Sequence, residues 1–430
     1  MSETLLLADW VVPVSTPAIK EGALLIEGKT IKAVGRQSLF DGWCGKKESF
    51  GLLMPGLVNS HNHASMAAFR GLADDLPLME WLYGEIFPRE KRWGTAELVA
   101  AAFPGAMAEM IRSGTTCSAD MYYHTTVSAT LAARAGFRYA PGEGVIDFPS
   151  PSFETVEEGL VVSRQLVEKF ADHPTVHPTV AAHAPYTCAP ETLISVDALS
   201  QEYGVPFQLH IAETPDETQI IQDRYSTTPV RHLHNLGLLS PRLLGAHSVH
   251  LDEEETALYA DAGVKVSHDP ESNAKLGSGL APVPQFLEAG ITVGLSTDGP
   301  CSNNDLDLFG EMRTAALVHK LHGMDPTVLP APQTLRMATW GSATALGIGD
   351  KVGSLEKGKE ADIVALDLSK PHLTPLYDPV SHLVYSAGRG DVSDVWVAGK
   401  RLLQDNELVT MDEEASLLSL RQWGERLRDG

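Results

Sequence analysis

Between residues 51 and 300, short apolar runs alternate with longer stretches of helical period. Eight of these runs stand out: GLLMPGLVNSH, GTTCSAD, FRYAPGEGV, TVAAHAP, FQLHIAE, LLGAHSVH, VKVSHDP and TVGLSTDG. Apolar runs bounded by turn residues predict buried strands. Their alternation with helical patterns predicts βα units around a parallel sheet. Eight units make a (β/α)8 TIM barrel. Residues 1 to about 50 read differently, as short strands broken by turns (ALLIEG, TIKAVG), and the same texture returns in ADIVALDL and DVWVAGKRLL. The two ends are therefore expected to share one small β-sandwich domain. The expected organisation is 1–54 for its first part, 55–350 for the barrel, and 351–430 for its second part with a C-terminal helix.

Composition fits a large soluble core. The 430 residues are 43% hydrophobic and 21% charged, as in ordinary globular chains. With 33 Lys+Arg against 56 Asp+Glu, the formal charge is −23. Such a surface repels phosphate polymers and anionic lipid, which argues against nucleic-acid and membrane partners. The N-terminus has neither the basic start nor the long apolar core of a signal peptide, and no segment is apolar for long enough to span a bilayer, so a cytoplasmic location is expected. Cys44, Cys117, Cys188 and Cys301 lie far apart; each reads as a small buried apolar residue rather than half of a disulfide or a thiolate metal site. A homo-oligomer is compatible with the sequence.

Most of the predicted strands end in His, Asp or Glu, and the C-terminal strand ends are where barrels build their sites. In His61-Asn62-His63 the imidazoles are two residues apart, so an extended backbone points both to one side. His210 ends VPFQLH, with Glu213 three residues on; His247 ends LLGAH and Asp298 ends TVGLSTD. Each alone is most simply a hydrogen-bonded structural residue, but their joint placement points to a metal. Three imidazoles and a carboxylate suit one divalent ion, zinc first, with iron, manganese or nickel as alternatives. The strand VAAHAPYT carries no lysine to bridge two ions, which favours a mononuclear site. His124, His173, His177, His232, His234 and His319 lack partner spacing and are expected at the surface or in caps; His268 is expected to be structural.

Together, PGLVNSHNHASMAAFRG, HIAETPDE, GAHSVHLDEEE, VSHDPESNAKLGSG and STDGPCSNNDLD resemble the amidohydrolase superfamily, in its branch of 5'-methylthioadenosine and S-adenosylhomocysteine deaminases. The likeness covers nearly the whole chain. It is most specific from Met66 to Glu90 and in SHLVYSA. The resemblance implies that His61, His63, His210 and Asp298 bind the metal. Glu213, His247 and Asp298 would be catalytic, serving the hydrolytic water and the protonation of a ring nitrogen. It also implies that Trp81 packs on the ligand, that Glu90 binds a ribose diol, and that His183 and Glu213 contact the purine; Ser302 is expected to line the same pocket. The implied reaction is hydrolytic deamination of a small-molecule adenine nucleoside to its inosine analogue plus ammonia. A guanine-like, pterin or s-triazine substrate is the alternative, and a catalytically silent binding barrel a further one.

The chain departs from that branch at one place. The segment 139–163, where arginines would hold the homocysteine carboxylate, contains no Arg or Lys, and its Glu143 and Asp147 are expected to repel a carboxylate. A neutral 5'-substituent is therefore expected, as in 5'-methylthioadenosine, 5'-deoxyadenosine or adenosine. Arg70 and Arg164 are the cations from elsewhere in the chain that would undo that expectation.

Overall fold

The computed structural model describes residues 3–429. Eight parallel strands, β5 (Leu57–Asn59), β6 (Thr115–Tyr122), β7 (Arg138–Val145), β8 (Val180–Ala182), β9 (Phe207–Ile211), β10 (Leu243–His247), β11 (Lys265–His268) and β12 (Val293–Leu295), pair in sequence order. The ring closes where the Ser60 N–H donates to the Leu295 carbonyl at 3.3 Å. Each of the eight predicted runs coincides with one of these strands, β6 continuing two residues beyond its run. Helices follow the strands, and their ends are set by local chemistry. Thr155, Thr214 and Asp252 accept from first-turn amides, while Gly136, Gly204 and Gly263 take the left-handed conformation that ends a helix.

The remaining strands are β1 (Glu3–Val11), β2 (Ile19–Glu27), β3 (Thr30–Arg36), β4 (Lys46–Pro55), β13 (Ile363–Leu366), β14 (Val392–Val397), β15 (Lys400–Gln404) and β16 (Glu407–Leu408). They form one mixed sheet in the order β16-β15-β14-β13-β4-β1-β2-β3. The sheet curls until its β3 edge meets the chain entering β13, with Ile31 N donating to Lys359 O and Ala361 N to Lys29 O. Leu6, Leu24, Ile31, Leu53, Ile363 and Trp396 fill the space it encloses. The run GLLMPGLVNSH serves both sheets: β4 ends at Pro55 in the terminal sheet and β5 begins at Leu57 in the barrel. Gly56 separates them, and a side chain there would collide with Thr116.

Arg138 joins the two sheets. Its guanidinium is buried on β7 and meets Asp362 through Nε at 2.8 Å and Nη2 at 2.9 Å, with Glu360 at 2.7 Å from Nη2. This fork-to-fork geometry fixes orientation as well as charge. The last helix, Glu413–Asp429, returns to the barrel, where Trp423 packs edge-on against Trp93. Among the described residues no helix is long and apolar enough to cross a membrane.

Several sequence expectations need correction. Cys44 is exposed, unlike the other three cysteines. His232 and His319 are buried rather than superficial: His232 stacks on Tyr225, and His319 faces His268 behind the barrel. Both lie on the buried side of a helix, His232 packing by its flat face and His319 meeting the His268 ring at a tilt.

Candidate functional site

The chain leaves β5 through Ser60 and brings His61 and His63 to the barrel mouth, where His210 from β9 and Asp298, just past β12, join them. One ligand atom from each of the four lies within 4.8 Å of all the others. Backbone carbonyls orient two of the imidazoles, since His63 Nδ1 donates to Met121 O and His210 Nδ1 donates to His183 O at 2.6 Å. With those hydrogens committed, the two Nε2 atoms face each other at 3.2 Å. Asp298 Oδ1 stands 3.2 Å from His63 Nε2 and 3.5 Å from His61 Nε2. Its Oδ2 accepts from Ser272 at 2.7 Å and Ser302 at 2.6 Å. Burial holds the His61 and His210 pKa values below their ordinary range. At His63 burial also pulls downward, but the Asp298 carboxylate outweighs it and raises the value. Burial pushes Asp298 up, and the imidazoles of His61 and His63 that face its Oδ1 overcome it, so the group stays well below the usual carboxylate range.

Glu213 and His247 flank this cluster, His247 Nε2 standing 3.7 Å from Glu213 Oε2. His247 Nδ1 pairs with Asn273 Oδ1 at 2.9 Å, and its backbone N–H donates to Asp269 Oδ2 at 3.2 Å. Burial depresses its pKa, but the carboxylates of Glu213, Asp269 and Asp298 raise it to about 9. Glu213 is pushed up to about 6, chiefly by burial, which brings a carboxylic acid close to working pH. Its backbone N–H donates to Glu217 Oε2 at 2.8 Å. Ala212, His247, Ser248 and Asp298 all have positive φ without being glycine. Backbone of this kind is costly, and here it turns strand-end side chains inward to one point.

A cavity of about 670 Å³ of empty space opens over the cluster. Trp81, Glu90, His183, Glu213 and His247 line it, as expected, among Leu78, Leu82, Ile86 and Phe87. Trp81 opens a π-helical turn, Trp81–Ile86, and Glu90 lies in the following helix, Phe87–Trp93; both are buried. Burial lifts Glu90 to about 7 and lowers His183 to about 3, leaving a neutral ring that pairs with Thr187 Oγ1 at 2.8 Å.

Ser302 does not line the cavity; its hydroxyl is spent on Asp298. Glu143 does not face the cavity as a free charge either. It is fully buried and caps the helix Thr125–Ala135, accepting from Thr125 N at 2.9 Å and Thr125 Oγ1 at 2.6 Å. Asp147 accepts from Ala189 N at 2.6 Å. Arg70 is held by Glu109, and Arg164 by Glu202 and Tyr203. Sequence reasoning passed over Tyr122, Asp269, Asn273 and Glu217. Asp269 and Tyr122 shared the strand-end signal of the residues it did select; Asn273 and Glu217 carry none.

The comparisons with known proteins agree with this geometry. Residues 52–402 match the model of the amidohydrolase family. The chain belongs to the amidohydrolase family. Among relatives in this family, 5-methylthioadenosine/S-adenosylhomocysteine deaminase of Syntrophobacter fumaroxidans is 46% identical over 86% of this chain and 84% of its own. 5-methylthioadenosine/S-adenosylhomocysteine deaminase 1 of Syntrophus aciditrophicus is 44% identical over 96% of this chain and 94% of its own. Among solved structures, an adenosine deaminase from Xanthomonas campestris with bound zinc superposes with a TM-score of 0.97 at 40% identity, covering 99% of each chain.

Proposed function

We propose that this amidohydrolase hydrolytically deaminates the adenine ring of a nucleoside with a neutral 5'-substituent, and that His61, His63, His210 and Asp298 hold one zinc ion. The observation that carries the reading is the convergence of those four ligand atoms within 4.8 Å, with Glu213 and His247 beside them under an apolar cavity. The donor set fits the ion. Two imidazole nitrogens that have given their other hydrogen to carbonyls present lone pairs to each other at 3.2 Å, and a cation between them turns repulsion into bonding. His61 Nε2 is buried without a hydrogen-bonding partner, as a ligand atom is expected to be. When bound, zinc would lower the pKa of a water toward neutrality and make it a nucleophile.

The side chains do the rest. Asp298 is held through Oδ2 by Ser272 and Ser302, so its carboxylate stays beside the attacking water and can take a proton from it. Glu213, with a pKa near 6, gives a proton to the ring nitrogen beside the attacked carbon and later helps transfer one to the departing ammonia. His247 is fixed at Nδ1 by Asn273, so Nε2 can hydrogen-bond the oxygen as charge develops there. His183 is neutral and can pair with a purine nitrogen. Glu90 accepts from the ribose diol, whose two hydroxyls suit the two carboxylate oxygens.

A neutral 5'-group is favoured because no Lys or Arg lines the cavity among the described residues. The reason is absence of a carboxylate partner rather than repulsion, since Glu143 is committed elsewhere. A panel of 5'-methylthioadenosine, 5'-deoxyadenosine, adenosine, S-adenosylhomocysteine and free adenine, followed by ultraviolet absorbance, tests the reading. Turnover of the neutral nucleosides supports it; turnover of none of them overturns it.

A further inference from the structure

Two polar atoms at the cavity have no part in the chemistry above. The indole nitrogen of Trp81 and the hydroxyl of Tyr122 are buried, and neither has a hydrogen-bonding partner among the described residues. Both side chains line the cavity. A buried hydroxyl without a partner forfeits the hydrogen bonds it would make in water, so its presence calls for a reason.

Of the two, Tyr122 stands beside an acceptor-only group. It ends β6, so the barrel backbone fixes its place, and it lines the cavity together with Glu90; its hydroxyl comes near enough to the carboxyl to act on it as a weak donor but forms no well-shaped hydrogen bond. Both side chains are buried in the wall of the same cavity, which places the two groups within reach of one ligand. An alcohol is both donor and acceptor, a carboxylate only an acceptor, and a phenol can donate. The apolar side chains around them, Leu78, Leu82, Ile86 and Phe87, offer the alcohol nothing else.

We infer that Tyr122 is a specificity-determining residue: its hydroxyl donates to a ribose hydroxyl that itself donates to Glu90. The sugar is thereby read in both its donor and acceptor senses, and a deoxyribose missing that hydroxyl leaves two buried groups unpaired instead of one. The inference rests on the nucleoside reading above and goes beyond it in assigning the second half of the diol contact.

Tyr122→Phe removes one oxygen and keeps the ring. Because that oxygen makes no well-shaped hydrogen bond in the folded protein, the melting temperature is expected to stay close to that of the wild type. On adenosine, kcat/KM is expected to fall about tenfold, the size of one hydrogen bond to a charged-group network. On whichever of 2'-deoxyadenosine and 3'-deoxyadenosine lacks the hydroxyl being read, it is expected to change by less than about twofold, so that preference for the ribonucleoside shrinks. Combining Tyr122→Phe with Glu90→Gln is expected to cost less than the product of the two single losses, because both act on one hydroxyl.

An adenosine preference over both deoxynucleosides that survives Tyr122→Phe overturns the inference. So does an equal loss on all three substrates with a lowered melting temperature, which marks a residue that only supports the fold. A wild-type enzyme that converts neither these three nor 5'-methylthioadenosine and 5'-deoxyadenosine would instead have failed the nucleoside reading itself.

Discussion

Replacing Glu213 by Gln separates proton transfer from metal binding. Glu213 is not one of the four residues whose ligand atoms converge. It approaches His247 Nε2 at 3.7 Å and Ser278 Oγ at 3.5 Å, and glutamine preserves its length and its capacity to accept from Ser278. Metal content, measured by elemental analysis after exhaustive dialysis, is therefore expected to stay at the wild-type stoichiometry. The rate is another matter. An amide has no proton to give, and general acid–base catalysis by a placed carboxyl contributes typically 10²–10⁴-fold; the lower end alone is about 2.7 kcal/mol of transition-state stabilisation. A loss of at least about a hundredfold in kcat is expected, with KM changed by less than about threefold if the purine contact is mainly a hydrogen bond the amide can still make. Circular dichroism controls for folding. Loss of the metal in a folded variant would make Glu213 a ligand, and a kcat within a few-fold of wild type would remove it from the chemistry; either result refutes the argument.

The remaining predictions address the ligands, the substrate and the joint between the sheets. His210→Ala, which removes one of four donors, is expected to lose both the metal and nearly all activity, checked by metal analysis alongside turnover. 5'-Methylthioadenosine or 5'-deoxyadenosine is expected to exceed S-adenosylhomocysteine in kcat/KM by at least about tenfold, the cost of one charged tail left unpaired. If S-adenosylhomocysteine matches them, Arg224 is the side chain to replace, because it lies in an adjoining cavity shared with Tyr186 and Asp147. Arg138→Ala is expected to cost about 3–5 kcal/mol of stability by leaving Asp362 buried and uncompensated, read as a lower denaturant midpoint with the metal site otherwise intact.

How much of this the sequence disclosed follows from which interactions are local. The eight barrel strands could be read because a strand buried on both faces is a continuous apolar run, and its polar terminus is conspicuous where turn residues are the norm. His61, His63, His210, His247 and Asp298 carried that signal, and the fold brings them together. The boundary inside GLLMPGLVNSH was not visible as two strands, because the run is apolar on both sides of the one residue, Gly56, that parts β4 from β5.

The misreadings share one cause. Glu143, Asp147 and Ser302 were expected to face the ligand because they sit near strand ends and carry suitable groups, yet each has found a nearer partner: the Thr125 amide and hydroxyl, the Ala189 amide, and the Asp298 carboxylate. Position along a strand says which end of the barrel a side chain occupies. It does not say whether a neighbouring donor has already claimed it; the buried Glu143 carboxylate takes such donors because leaving it unpaired costs more than the bond returns. Tyr122 is the opposite case. Its strand-end position was as conspicuous as that of Asp298, but an aromatic there reads as packing, and what sets it apart is a buried hydroxyl in the cavity wall that makes no well-shaped hydrogen bond. In a site built from residues with competing local partners, the polar atoms left over after the protein has satisfied itself are the ones available to a substrate.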